Sequence, residues 1–343
     1  MSKRIMGRSS FANVKDNTGN IQFYIDKKNF SDEEFKIFKD SDVGDIICVT
    51  GYLFKTKTGE TTINCNNFKL VTKSLRPLPE KFHGLSDQEI RYRKRYLDLI
   101  CNDETWETFN DRFKIIKSIR KFFDDRNYIE VETPMMHKIP GGATARPFIT
   151  HHNTLNLDLY MRIAPELYLK RLIVGGFEKI YEINRNFRNE GVSSKHNPEF
   201  TMIEFYSAYE NYSYLMKVIE DLFNNLLKEL DLNSNVVYQE YEIDFNAPFF
   251  RIKFYDAIDK FAEDIDMSEI NSTQYLKTYC LSKNIRISDT ASVIKTHLDI
   301  FEKLVEKKFI NPTFVTHYPT EVSPLSRSFD NNPDLVERFE LFI

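Results

Sequence analysis

The sequence predicts an α+β protein, with a small N-terminal domain of short strands and a larger domain that combines an antiparallel sheet with flanking helices. Two observations support this. Residues 1–73 contain four apolar-rich runs, with Gly19 and Gly59 marking polar turns between them. From about residue 96, stretches with an apolar residue every 3.6 positions alternate with short apolar strands. The 343 residues suffice for about two domains.

The strands of the first domain are predicted from alternation and turn residues, at Ser10–Lys15, Asn20–Asp26, Asp45–Phe54 and Thr61–Val71. Short antiparallel strands at this spacing suit either a small barrel or a sandwich. Residues 74–95 follow as a linker, where two prolines break helix and a basic run, RYRKR, favours a solvated face.

The second domain, residues 96–343, opens with a long helix whose apolar stripe includes Phe109, Phe113 and Phe123. Residues 253–310 are predicted to be mostly helical. The other predicted elements are a strand at Ile129–Thr133, a helix at Leu167–Val174 after Pro165, a helix at about Ser213–Leu230, and strands at Thr313–His317 and Leu335–Ile343, with the long helix itself at Thr105–Asn127.

Composition limits the classes of function. With 47 basic and 51 acidic residues the net charge is −4, so any contact with nucleic acid must come from local basic and aromatic patches. The four cysteines form no CxxC motif, which suits reduced thiols. No apolar run approaches membrane-spanning length, and the basic start lacks an apolar signal segment. These features predict a cytoplasmic protein without a membrane partner.

The most informative stretch is Tyr181–Tyr209, YEINRNFRNEGVSSKHNPEFTMIEFYSAY, which predicts two strands joined by a long loop. Because side chains alternate along a strand, a polar set shares one face of the pair. That set comprises Glu182, Asn184, Asn186, Arg188 and Glu190 on the first strand, and Phe200, Glu204 and Tyr206 on the second. An arginine, several carboxylates and an aromatic ring on one face suit either a solvated hairpin or a pocket for a charged small molecule.

The order FRNE, a loop with a lysine and a histidine, then PEF and a glutamate resembles the second signature motif of the class II aminoacyl-tRNA synthetases. The run FRNEGVSSKHNPEFTMIEFYSAY is most similar to the lysine-specific members. TFNDRFKIIKSIRKFFDDRNYIEVETPMM resembles the first motif, which in the family builds a homodimer interface. Residues 1–73 resemble the anticodon-binding OB barrel, so the resemblance covers essentially the whole chain.

The resemblance implies a reaction in which ATP, with Mg²⁺ on its phosphates, activates an amino-acid carboxylate as a mixed anhydride with AMP. In the family the arginine matching Arg188 bridges the two anions, a role that suits a planar fork of donors that stays charged. The resemblance places the nucleotide against Arg188, Glu190, His196, Asn197 and Phe200, with the glutamate accepting from the adenine amino group and the phenylalanine stacking on the ring.

For the amino acid, the resemblance implies a lysine pocket with acids at its far end. Glu166 would pair with the side-chain ammonium, Tyr206 would hydrogen-bond it, and Glu204 would hold the α-amino group. Gly142 would lend a backbone carbonyl, and Arg188 would contact the lysine carboxylate. Glu340 matches a family acid that coordinates magnesium, and carboxylate oxygens are suitable ligands for that ion.

For tRNA(Lys), the resemblance implies that Arg4, Phe11 and Gln22 read anticodon bases by stacking and hydrogen bonding. We also expect that the chain begins inside the first barrel strand and stops before the third class II motif. On this expectation the 343-residue chain would exchange pyrophosphate poorly.

Other functions remain open at this stage. A protein-lysylating paralogue would lack the barrel, so residues 1–73 disfavour it. The aspartate and asparagine enzymes share the architecture, but their pockets should present a cation, whereas Glu166 and Tyr206 suit an ammonium. A non-catalytic or fragmentary tRNA-binding paralogue would keep a working barrel on a scaffold.

Overall fold

A computed structural model of the chain describes residues 3–76, 78, 85, 87–193, 196–288 and 290–343. The chain divides into two compact units, residues 1–110 and 111–343. The predicted linker at 74–95 lies partly outside the described residues, and so does the lysine of the predicted hairpin loop. No helix among the described residues has the length and apolar character needed to cross a membrane.

The described residues of the first unit form a five-stranded sheet and three short α-helices, together with the first part of a long one. Strand β1 pairs with β2, β2 with β3, β3 with β5, and β5 with β4. The bounds are β1 Lys3–Met6, β2 Ser9–Asp16, β3 Gly19–Asp26, α1 Asp32–Asp40, β4 Ile46–Lys55, β5 Thr61–Thr72, α2 Gln88–Arg93 and α3 Arg95–Cys101. All four predicted strands are confirmed to within about one residue at each end. Strand β1 was not predicted as a separate strand. The β3–β5 pair is parallel, whereas antiparallel pairing was predicted.

Helix α1 was also missed, although its start has a recognisable signal. Ser31 accepts from the Glu34 backbone N–H while the Glu34 carboxylate accepts from the Ser31 N–H, a reciprocal capping box. Phe35 and Phe38 of this helix are buried against Phe23 and Phe68 of the sheet. Aromatic packing therefore closes the core of the first unit.

The basic run at 91–95 is not simply a solvated face. The carboxylate of Asp98 is fully buried and pairs with Arg91 at 2.8 Å and with Arg95. Because an unpaired buried carboxylate would be costly, two of the four cations are committed to holding α2 and α3 together.

Long helix α4 leads into the second unit, whose described strands form one four-stranded sheet, two three-stranded sheets and one two-stranded sheet. In chain order the bounds are α4 Asp103–Asp124, β6 Ile129–Glu130, β7 Met136–His137, β8 Ile149–His152, β9 Leu157–Met161, α5 Glu166–Val174, β10 Lys179–Phe187, β11 Glu199–Ser207, α6 Tyr212–Glu229, β12 Asn235–Tyr238, β13 Tyr241–Asp244, β14 Phe250–Lys253, α7 Phe254–Phe261, α8 Thr273–Ser282, α9 Val293–Ile300, β15 Thr313–Pro319, β16 Ser328–Phe329 and β17 Asn332–Phe342.

The predicted long helices and the late strands are confirmed to within about three residues, and residues 253–310 are mainly helical. The strand predicted at Ile129–Thr133 is only two residues long. Sheet orders are β11-β10-β6, β7-β9-β8, β12-β13 and β14-β15-β17-β16. The helical segment α7–α9 packs its apolar side chains against β15 and β17, with Phe254 and Phe301 fully buried at the centre.

One face of the β10–β11 pair belongs to the core of the second unit. Tyr181 is fully buried with Phe123 of α4, and Ile183, Ile203 and Phe205 pack on the same cluster. These are odd-numbered positions, so the even-numbered side chains of both strands lie on the opposite face. That opposite face carries the candidate site.

Candidate functional site

The register of β10 and β11 sets which polar side chains are neighbours. Glu182 lies opposite Glu204, and Asn186 lies opposite Phe200. The predicted shared face is thus confirmed for Glu182, Asn184 and Asn186. Strand β10 ends at Phe187, however, so the prediction that Arg188 and Glu190 continue the strand is wrong.

The chain leaves the sheet at this point because its hydrogen bonds change partner. The Arg188 N–H still donates to the Pro198 carbonyl at 2.8 Å, but the next N–H, of Asn189, donates to the Arg146 carbonyl at 2.8 Å. Arg188 is therefore held at the mouth of the hairpin, where its side chain can turn over the sheet face.

A cavity of about 520 Å³ opens at this mouth. It brings together all five residues predicted to bind the nucleotide, with Gly191 and Pro198 completing the wall: Arg188, Glu190, His196, Asn197 and Phe200. The Arg188 guanidinium lies 5.2 Å from the Phe200 ring centre. Its Nε is buried without a hydrogen-bond partner among the described residues, so the guanidinium retains donor capacity.

His196 lies on the rim of the cavity, in a tight turn. Its Nδ1 is 3.0 Å from the Ser193 hydroxyl, and its backbone N–H donates to the same hydroxyl at 3.1 Å. The Asn197 amide donates to the Glu199 carbonyl at 3.0 Å. The loop therefore holds the His196 ring and the Asn197 side chain at the edge of the cavity.

An acidic cluster lies further along β11 on the same face. Tyr206 donates its hydroxyl to the Glu204 carboxylate at 3.1 Å. Burial, with lesser effects from Glu166 and Glu182, raises the pKa of Glu204 to about 7. Burial and the same neighbourhood of carboxylates raise the pKa of the Tyr206 phenol, so it stays protonated. Such a cluster favours a cation.

Glu166 opens helix α5 and faces this cluster. Its carboxylate accepts from Lys170 at 2.7 Å, one helical turn away. Gly142 approaches it closely, since a Cβ at position 142 would lie 3.2 Å from the Glu166 Cβ. Gly142 also has φ +90°, where a side chain is strained, so glycine is needed there on both counts.

The sequence did not indicate that Arg162 lies at the site or that Glu182 is buried. Arg162 is 1% exposed and Glu182 is 1% exposed, and the Arg162 Nη1 donates to Glu182 at 2.6 Å. Arg162 lies three residues before Pro165 in RIAPELY, and a single arginine there gives no signal of burial.

Glu340 lies on β17, where it accepts from the Tyr318 hydroxyl at 2.9 Å and from Arg338. No cluster of three or more metal-ligating side chains occurs among the residues that the structure describes. A single carboxylate still fits Mg²⁺, because that ion is often held by one or two carboxylates together with substrate phosphates.

The first unit carries a separate groove of about 890 Å³. It collects all three residues predicted to read the anticodon, Arg4, Phe11 and Gln22. Phe11 packs on Tyr24 with ring centres 5.0 Å apart, and Tyr24 on Phe54 at 6.1 Å. The two further rings were missed, although Tyr24 follows Gln22 at the alternating position on β3.

The first unit has a groove lined by basic and aromatic side chains. The second unit has a cavity of a size for a nucleotide, on the same sheet face as an acidic cluster. Together these are features of a ligase that acts on a nucleic acid. The profile of the OB-fold nucleic acid binding domain matches residues 1–71, and that of the class II tRNA synthetases (D, K and N) matches residues 87–343. The chain therefore belongs to the class II tRNA synthetases, and the predicted fold class is confirmed.

Within that family the chain is similar to lysine–tRNA ligases. That of Legionella pneumophila (strain Lens) is 52% identical over 341 residues, which cover 99% of this chain and 68% of the relative. That of Thioalkalivibrio sulfidiphilus (strain HL-EbGR7) is 52% identical over 343 residues, covering 100% and 69%. The Nitrosomonas europaea ligase is 49% identical over 341 residues, covering 99% and 68%.

Proposed function

We propose that this protein activates L-lysine with ATP and transfers the lysyl group to the 3′ end of tRNA(Lys), in the cytoplasm. The observation that carries the proposal is the acidic cluster of Glu166, Glu204 and Tyr206 on the same sheet face as the nucleotide cavity. Phe200 and Glu204 are four residues apart on β11, hence about 13 Å along the strand. This spacing suits an aminoacyl adenylate, with adenine on the phenylalanine and the amino acid among the acids.

In this arrangement Arg188 lies where the lysine carboxylate and the ATP α-phosphate meet. A carboxylate oxygen attacks the α-phosphorus, and pyrophosphate leaves. The arginine offsets the repulsion between the two anions and stabilises charge on the transferring phosphoryl group. Glu204 holds the α-ammonium, while the Tyr206 hydroxyl, which already donates to Glu204, offers its lone pairs to the side-chain ammonium. Glu166 pairs with that ammonium in place of Lys170.

Glu340 would hold Mg²⁺ together with the ATP phosphates. The bound ion would supply charge neutralisation on the phosphates. Arg338 and the Tyr318 hydroxyl, which engage the Glu340 carboxylate, orient it for that purpose.

We also propose a homodimer and a division into an anticodon-binding domain (1–73), a linker (74–95) and a catalytic domain (96–343). The dimer proposal rests on the α4–β6 segment that resembles the first class II motif. Strand β6 is an edge strand of its sheet, with Ile129 51% exposed. Sedimentation equilibrium would test it, and a concentration-independent monomer would contradict it.

The activity is tested by calorimetric titration with non-hydrolysable aminoacyl-sulfamoyl adenosines carrying lysine, aspartate or asparagine. We expect the lysyl compound to bind at least about a hundredfold more tightly than the other two, because neither carries a side-chain ammonium for Glu166 and Tyr206. Equal or preferential binding of the aspartyl or asparaginyl compound would overturn the assignment of lysine. Aminoacylation of tRNA(Lys) by the same preparation then tests the transfer step.

A further inference from the structure

We propose that Arg162 is a positioning residue for amino-acid binding: paired with Glu182 on the site face of strand β10, it supplies a positive charge that offsets the acids of the lysine pocket. The inference rests on the proposed function and names a residue that lies outside the ligand-contacting set.

The first support is the geometry of the ion pair. Arg162 donates through Nε to the Arg185 carbonyl at 2.8 Å and through Nη1 to Glu182 at 2.6 Å and to the Thr133 hydroxyl at 3.1 Å. Its backbone carbonyl accepts from the Phe187 N–H at 2.9 Å. The residue therefore fixes the end of β10, immediately before Arg188, and links it to the segment that carries Thr133.

The second support is that both carboxylate oxygens of Glu182 accept hydrogen bonds. Its carboxylate accepts from Arg162, from the Thr133 N–H at 3.2 Å, from the Thr133 hydroxyl at 2.7 Å and from the Asn184 amide at 3.2 Å. A carboxylate with this many donors at 1% exposure is held in one position, directly opposite Glu204 on the neighbouring strand. Without the Arg162 cation beside it, Glu182 would repel Glu204.

The third support is the position of Glu204 between these charges. Tyr206 from β11, Glu166 from α5, Glu182 from β10 and Arg162 after β9 all act on it. Burial raises the pKa of Glu204, Glu166 and Glu182 raise it further, and Tyr206 and Arg162 oppose them. The Arg162 Nη2 is buried and has no hydrogen-bond partner among the described residues, so this donor is not already committed. Arg162 is thus the cation that acts on Glu204, and it touches no predicted ligand group. The other cation at the acidic cluster, Lys170, is paired with Glu166 at 2.7 Å.

The test measures the affinity for L-lysine calorimetrically between about pH 5.5 and 8.5 in the full chain and in three variants, Arg162→Gln, Glu182→Gln and the double variant. Lysine affinity should fall at acidic pH as Glu204 becomes protonated. In Arg162→Gln the midpoint of this fall should move to higher pH by roughly half a unit or more. In Glu182→Gln the same midpoint should move to lower pH, and in the double variant it should lie between those of the two single variants. Affinity for ATP serves as the control and should change by less than about threefold.

Shifts of the same sign in both single variants, or no shift in Glu182→Gln, would overturn the inference, since a role in structure alone gives no opposite displacements. Glu182→Gln keeps the shape and most donors of the site, so it decides the matter even where Arg162→Gln fails to fold. If the unsubstituted chain binds ATP but not lysine at any pH, the proposed function itself fails. If it binds lysine with unshifted variants, only the role of Arg162 fails.

Discussion

Glu204 and Tyr206 lie two residues apart on one strand and are joined by a 3.1 Å hydrogen bond from the phenol to the carboxylate. Burial raises the pKa of Glu204 to about 7, so this carboxyl is close to half protonated at neutral pH in the unliganded protein. An arriving ammonium would favour the ionised form. Binding of the amino acid is therefore coupled to loss of a proton from this pair.

The coupling predicts proton release on lysine binding. Near pH 7 we expect roughly half a proton to leave per lysine bound, because the free carboxyl is about half protonated and the bound one is ionised. Calorimetry in buffers of different ionisation enthalpy measures this number directly. In Glu204→Gln the release should disappear, whereas Glu199→Gln, on the same strand but exposed and paired with Arg185, should keep it.

The pKa of Glu204 also predicts a pH dependence of stability. Its folded-state pKa lies above the value of 4.5 for an unperturbed glutamate, so the group stabilises the empty protein below about pH 4.5, and that contribution is lost as pH rises through about 7. Chemical unfolding of the unliganded chain should therefore show Glu204→Gln gaining stability relative to the parent between about pH 5 and 8. A constant difference across that range would contradict the burial of this carboxyl.

Substitution of Glu166 should separate lysine from nucleotide binding. Glu166→Gln removes a charged acceptor from a side chain that is 21% exposed, so we expect lysine affinity to fall by about ten- to a hundredfold. ATP affinity should change little, since Glu166 does not line the nucleotide cavity. Parallel titrations with the two ligands measure this, and equal losses of both would remove Glu166 from the ammonium site.

Phe200 should affect the nucleotide instead. Phe200→Leu keeps an apolar side chain but loses the ring, and base–aromatic stacking contributes on the order of 1–3 kcal/mol. ATP affinity should drop by roughly five- to a hundredfold, while lysine affinity is retained. Phe250→Leu is the matched control, because Phe250 is 50% exposed on another sheet. An unaffected ATP affinity in Phe200→Leu would place adenine elsewhere.

The groove of the first unit predicts a position-dependent effect of arginine on RNA binding. Arg4→Gln and Phe11→Leu should each weaken binding of a fluorescent anticodon stem-loop of tRNA(Lys) by about fivefold or more. Arg8→Gln removes the same charge from the exposed turn after β1, outside the groove lining, and should have less than about half that effect on the binding free energy. Equal losses at positions 4 and 8 would indicate attraction by net charge alone.

Local periodicity accounts for much of the fold. The barrel strands and the long helices α4 and α6 were predictable because their apolar residues follow one period for many positions. Strand β6 was predicted, but three residues too long. The hairpins β8–β9 and β12–β13 were not predicted, because strands of four or five residues carry no distinct pattern and their pairing is set by tertiary contacts. Helix α1 was predictable in principle from the Ser31–Glu34 capping box.

The candidate site, too, was only partly predictable from the sequence. Alternation along two strands places Glu182, Glu204 and Phe200 on one face, and the structure confirms it. Where β10 ends is decided by the hydrogen bond of Asn189 to Arg146, 43 positions earlier in the chain, which no local signal announces. The burial of Arg162 likewise depends on contacts with Thr133 and Arg185 from separate elements.

The most direct test of the account is a crystal structure of the chain with a lysyl-sulfamoyl adenosine. The account predicts adenine stacked on Phe200, the linking group at Arg188, and the side-chain ammonium within hydrogen-bonding distance of Glu166 and Tyr206. A lysyl side chain directed away from Glu166, or an adenine bound outside the cavity of Arg188 and Phe200, would contradict it.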